Sequence, residues 1–129
     1  MNHNQIVDIV VETAVDIHRR LGPGLLESVY CIILAHELTK RGLRVEREVP
    51  IPVVWDGFTI ELGFRADLIV EGIILLELKS VESLAAVHKK QVLTYLRVMD
   101  LRLGLLLNFG AALMKDGIHR IANGFDAEE

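Results

Sequence analysis

Glu77 and Lys79 close the apolar run IILLELK at residues 73–79, with only Leu78 between them. On a β-strand, residues two apart project from the same face about 7 Å apart, so a carboxylate and an ammonium stand side by side. An unpaired charge in such a strand costs on the order of several kcal/mol, so Glu77 needs a partner, either Lys79 or a cation. A simple internal ion pair would satisfy it, but Asp67 argues for more. It lies in GFRADLIV, residues 63–70, a second acidic residue within an apolar strand, and the Glu71-Gly72 turn pair folds that strand against the first. Facing side chains on adjacent strands come within about 5.5 Å, so the carboxylates of Asp67 and Glu77 are expected to share one cation. With the Leu78 backbone carbonyl as a further oxygen, this donor set suits a hard ion, Mg²⁺ or Mn²⁺. Zinc is disfavoured: His18, His36, His88 and His119 have no paired His or Cys at ligand spacing and read as surface or packing residues, and His3 belongs to the N-terminal end.

The elements that must hold these side chains follow from periodicity. Ile6, Val10, Ala14, Ile17 and Leu21 recur at three- and four-residue steps, which predicts a helix from Asn4 to Leu21 stopped by Gly22 and Pro23. A second helix is expected from about Leu25 to Arg41, with Leu26, Val29, Ile33 and Leu38 on its apolar side and Gly42 as its cap. The pattern then changes to β-branched alternation, predicting a three-strand antiparallel meander over 44–55, 58–70 and 73–80 with turns at Asp56-Gly57 and Glu71-Gly72. Its last strand is almost continuously apolar, as a central strand covered on both faces should be. Ser83 can cap a third helix over Leu84–Asp100; residues 101–109 then read as a buried strand and 117–123 as an edge strand before an acidic tail. The order is α-α-β-β-β-α-β-β, an α/β chain read as one domain over 1–129.

Composition bounds the function. The 129 residues suffice for one hydrophobic core, and 51% hydrophobic with 25% charged residues is a globular balance rather than a disordered one. An apolar surplus in so small a chain implies that part of its surface is covered by another subunit, so a homo-oligomer, most simply a two-fold dimer, is expected. Cys31, the one cysteine, sits in an apolar helical stretch and reads as a small buried hydrophobe. The absence of an export-type start and of a membrane-length apolar run predicts a cytoplasmic protein with no membrane partner. A net charge of −4 carries no broad phosphate-binding footprint, so any nucleic-acid contact must come from a local patch.

Taken together, these residues resemble the GxxExxY family, a branch of the PD-(D/E)XK nuclease superfamily. The naming motif is Gly24-Leu-Leu-Glu27-Ser-Val-Tyr30; Asp67 follows, then Glu77-Leu-Lys79, then Gln91-Val-Leu-Thr-Tyr95, which resembles the QxxxY element of recombination-type exonucleases. The four stand in the family's order, and the resemblance runs from Gly24 to near Asn108. It implies an αβββαβ core over about residues 24–121, a central mixed sheet flanked by helices, with an extra helix at the N-terminus. The implied activity is metal-dependent hydrolysis of nucleic-acid phosphodiesters, with DNA ranked ahead of RNA as the partner.

In that reading Asp67 and Glu77 bind Mg²⁺ or Mn²⁺, and Glu27 reaches the same site from the second helix, directly or through a water. Lys79 orients or deprotonates the attacking water, while Gln91 and Tyr95, one turn apart on a helix, hold Lys79 or a substrate phosphate. Gly24 permits the tight turn into its helix and Tyr30 gives packing support. Lys89, Lys90, Arg44 and Arg47, with Lys40, Arg41 and His88, are candidate phosphate contacts. Crowding three carboxylates into a partly apolar pocket should raise the pKa of at least one. The competing reading is a catalytically silent oligomerising or nucleic-acid-binding module that keeps the fold. The acidic net charge favours that alternative; several charges aimed into one apolar pocket favour the nuclease.

Overall fold

The computed structural model describes residues 1–61 and 63–124. Helix α1 (His3–Leu21) opens on Asn2, whose side chain accepts from the Gln5 N–H while its own N–H donates to Gln5 Oε1. It buries the stripe Ile6, Val10, Ala14 and Ile17 and stops at Gly22. Helix α2 (Glu27–Lys40) turns Tyr30, Leu34, Ala35 and Leu38 inward.

The expected meander is present but its long strands are broken. Strand β1 (Val45–Pro50) is followed by a short ribbon, β2 (Val53–Trp55) and β3 (Phe58–Ile60), before β4 (Arg65–Val70) returns antiparallel to β1. Pro50 and Pro52 cause the break, because proline has no N–H to donate to a ladder. β5 (Ile74–Lys79) pairs antiparallel with β4, α3 (Ala86–Met99) crosses over, and β6 (Leu103–Asn108) lies parallel to β5. β7 (Ile118–Ala122) closes the far edge, giving the order β1-β4-β5-β6-β7. This mixed sheet, flanked by helices and preceded by α1, is the α/β architecture expected from the residue pattern.

Two details differ. Helix α3 begins after Ala85 rather than Ser83, because Leu84 is drawn against the core and the chain turns into the helix only beyond it; His88 Nδ1 then accepts the Ala85 N–H at 3.1 Å. The expected acidic tail, residues 125–129, lies outside the described residues. Among those described, no helix is long and apolar enough to cross a membrane.

The sheet has a core on each face. Tyr30, Leu34 and Leu38 of α2 and the α1 stripe pack on Leu68, Val70, Leu76, Leu78 and Leu105, while Val92, Tyr95 and Leu96 of α3 cover Ile69, Leu75 and Leu106. Every residue of β6 is buried, which explains its unbroken apolar run. Just past β6 the chain passes so close to the end of β5 that only glycine fits: a Cβ on Gly110 would stand 2.2 Å from the Val81 carbonyl oxygen. Gly110→Ala should therefore destabilise the fold by about 1–3 kcal/mol, read as a lowered urea midpoint. An unchanged midpoint would mean that this crossing is looser than described.

Candidate metal centre

The β4–β5 ladder pairs Val70 with Ile74, Ile69 with Leu75 and Leu68 with Leu76, and stops there. The next facing pair is Asp67 and Glu77, and here the strands part. Each side chain reaches the other strand's backbone: the Asp67 N–H donates to Glu77 Oε1 at 3.0 Å, and the Leu78 N–H donates to Asp67 Oδ2 at 2.8 Å. These N–H groups would otherwise be orphaned in a poorly hydrated place, so the two carboxylates take over the work of ladder carbonyls.

Burial makes this arrangement electrostatically tense. Glu77 is only 5% exposed. Loss of hydration, followed by the nearby Asp67 charge, pushes the Glu77 carboxyl up to about 8, with Lys79 pulling in the opposite direction. The expectation that one crowded carboxylate would hold its proton is met at this residue. Tyr95 is raised by burial and then by the Glu77 and Asp67 charges, so its phenol lies within the field of the pair. Gln91 Nε2 donates to Tyr95 Oη at 3.0 Å. Gln91 and Tyr95 share a helix face as expected, but the Gln91 amide is engaged on Tyr95 rather than on Lys79.

The Gly24-to-Tyr30 segment is anchored beside the end of β5. Ser80 Oγ donates to the Leu25 carbonyl at 2.6 Å, and the Tyr30 hydroxyl donates to the Gly22 carbonyl while accepting the Leu25 N–H. The Tyr30 ring stacks on Phe109 at 4.5 Å, so this tyrosine is core packing, as expected. Gly24, at φ +113, supplies the backbone that the tight connection needs. Glu27 thus opens α2 at a cleft of about 420 Å³ lined by residues 24–28 and Ser80, one position beyond Lys79. It remains exposed in the first helical turn, and among the described residues no three His, Cys, Asp or Glu side chains gather as metal ligands. The expected three-carboxylate cluster is here a pair, with Glu27 apart from it near the end of β5.

The expected cations divide. The Arg44 N–H donates to Glu71 Oε2 and its carbonyl accepts the Glu71 N–H, which ties it to the β4–β5 turn at the opposite end of β4 from Asp67. The antiparallel register dictates that placement and removes Arg44 from the neighbourhood of the pair. Arg47 faces Leu68, next to Asp67. Lys89 and Lys90 line a groove of about 770 Å³ with Glu82, Asp116 and His119. Asn108, a polar residue at the end of the apolar β6, is 3% exposed and clasps the chain beyond β5: its side chain accepts the Val81 and Gly110 N–H groups and donates to the Val81 carbonyl. A polar residue inside an apolar strand was the signal that exposed Glu77, and it applied equally to Asn108.

The donor chemistry of the pair fits a hard divalent cation. Each carboxylate has one oxygen on a backbone N–H, which leaves acceptor capacity on both, and two carboxylates suffice for an ion that keeps several waters. A sequence profile of the PD-(D/E)XK nuclease superfamily matches residues 4–121. The chain belongs to that superfamily. Nucleases of the PD-(D/E)XK superfamily generally use divalent metals and act on nucleic acids. No curated protein matches the chain. The crystal structure of SSO0001 is similar at 18% identity and a TM-score of 0.45, covering 95% of this chain and 80% of that one.

The raised Glu77 pKa fixes the sign of a pH effect. A carboxyl that holds its proton more tightly when folded stabilises the protein below its ordinary value of 4.5, and that contribution is lost as pH rises to about 8. Without metal, unfolding free energy should fall by up to about 1 kcal/mol per pH unit across this window. Glu77→Gln should flatten the slope in urea titrations run in chelator. A wild-type slope that survives this substitution would exonerate Glu77.

Proposed function

We propose that this chain is a metal-dependent nuclease of the GxxExxY branch, hydrolysing phosphodiesters of DNA rather than RNA at Asp67, Glu77 and Lys79. The observation that carries the reading is the parting of β4 and β5 at two facing carboxylates, with an ammonium two residues further along the same strand. Asp67, Glu77 and the Leu78 carbonyl would hold Mg²⁺ or Mn²⁺, with Glu27 reaching the ion from the α2 terminus through a water. When bound, such an ion would polarise the phosphoryl oxygen and lower the pKa of water. Lys79 orients the attacking water or takes its proton, and adds positive charge where the phosphorane-like transition state gathers negative charge. Tyr95, steadied by Gln91, borders the pair from α3 and limits its hydration. Arg47, Lys89 and Lys90 serve as phosphate contacts.

A second reading has support of its own. The carboxylates already satisfy backbone donors on the opposite strand, which is a purely structural use for them in a silent nucleic-acid-binding or oligomerising module. A screen of DNA and RNA substrates with Mg²⁺ or Mn²⁺ separates the two. Cleavage should appear with wild type and be abolished by Lys79→Ala. In the same preparations Mn²⁺ should stabilise wild type by about 2.7 kcal/mol at a hundred times its dissociation constant, while Asp67→Asn gains little. Identical melting shifts in both proteins, with no cleavage that depends on Lys79, would leave only the module.

The protein is further proposed to be cytoplasmic and a two-fold dimer. Leu26, Val29 and Ile32 on α2 and Trp55 and Phe58 on the β2–β3 ribbon are exposed apolar side chains of the kind another subunit covers. Light scattering at micromolar concentration should give twice the chain mass; a monomer mass would contradict the assignment.

A further inference from the structure

The sheet edge beside Asp67 breaks the alternation of faces. Residues four apart on a strand should share a face, yet Val45 packs with the α1/α2 core and Val49 with the α3 core. The opposing strand does the same: Leu68 packs toward α1 and α2, and Ala66 toward α3. The pairing register is unchanged across this exchange, with Arg47 opposite Leu68 and Val49 opposite Ala66; the Glu48–Asp67 pair between them is skipped. Glu48 has φ +51, the left-handed region that a residue with a Cβ avoids. One left-handed residue in a strand reverses the side on which the following side chains fall.

The consequence is felt at Asp67. Unpaired with β1 at Glu48 and with β5 beyond Leu68, its N–H turns to Glu77 Oε1 and its carboxylate lies in the seam of the sheet against the Leu78 N–H. The field of the pair accordingly reaches Cys31 on α2 as well as Tyr95 on α3. The Glu48 side chain does not explain the strain, since its ion pair with Arg65, at 3.9 Å, is solvent-exposed and weak. Strained backbone of this kind gathers where a site needs a geometry that regular structure would not supply.

We infer that Glu48 is a positioning residue for the metal pair: its left-handed backbone inverts the sheet edge and thereby turns Asp67 out of the ladder toward Glu77. The inference rests on the metal reading of that pair, and three substitutions separate backbone from side chain. Glycine adopts positive φ freely, so Glu48→Gly should melt several degrees above wild type without metal and bind Mn²⁺ with wild-type affinity in calorimetry. Glu48→Gln keeps the backbone and should match wild type in both measurements. Glu48→Val opposes the left-handed conformation and should weaken Mn²⁺ binding by about tenfold or more, as loss of a supporting residue does. Wild-type affinity in folded Glu48→Val overturns the inference, as does a loss of affinity in Glu48→Gln, which would make the carboxylate itself the active group. If the valine variant does not fold, Glu48→Gly decides, and a melting temperature below wild type overturns the proposal. A wild type that takes no Mn²⁺ sinks the metal reading instead, and the metal-free melting order of the glycine and wild-type proteins still tests whether residue 48 is strained.

Discussion

The organising constraint of this molecule is a pair of backbone N–H groups that the sheet itself does not satisfy. Where β4 and β5 part, Asp67 and Leu78 need acceptors, and each takes a carboxylate from the strand opposite. Removing either acid would leave a buried donor unmade as well as a charge missing, which costs more than the hydrogen bond contributes in itself. The two acids are thus what holds the split, and the geometry of the pair is set by the backbone rather than by flexible side-chain choice.

Everything near the split serves to fix its two walls. Below β5, the Asn108 clasp on Val81 and the close passage of Gly110 hold the strand's exit, while Ser80 ties the same exit to the start of α2. Tyr30, stacked on Phe109 and bonded to Gly22, determines where α2 begins and hence where Glu27 stands. On the other face Tyr95 and Gln91 close the α3 side. The two helical layers therefore flank the carboxylates from opposite sides of one sheet.

How much of this was legible in the sequence depended on whether a signal was local. Helix periods, the buried β5 and β6 runs and the acidic residues embedded in apolar strands are one-dimensional patterns, and they gave the fold, the pairing of Asp67 with Glu77 and the raised carboxyl pKa. Position in space was less accessible. Arg44 is close to Arg47 in sequence, yet antiparallel pairing carries it to the Glu71 turn. Glu27 could be assigned to its helix but not to a distance from the pair, because the connection from Gly22 to Leu25 decides it. The left-handed turn of Glu48 left no trace at all: glutamate is an unremarkable strand residue, and only the exchange of Val45 and Val49 between the two cores reveals it.

The same burial explains why the pair can be both a structural clasp and a receptive site. A carboxylate well exposed to water would keep its ordinary pKa and bind a divalent cation weakly. Glu77, almost fully enclosed and facing Asp67, instead retains a proton near neutrality, so the empty pair carries less than its full double charge. On the metal reading, a cation that entered would displace that proton and replace a costly repulsion with an attraction, so that its binding free energy would become folding free energy. Lys79 is too exposed to substitute for it, being only partly buried where the strand leaves the sheet. On the nuclease reading, that division would leave the lysine free to act on water or phosphate, because protonation or a metal would stabilise the carboxylates without requiring its ammonium.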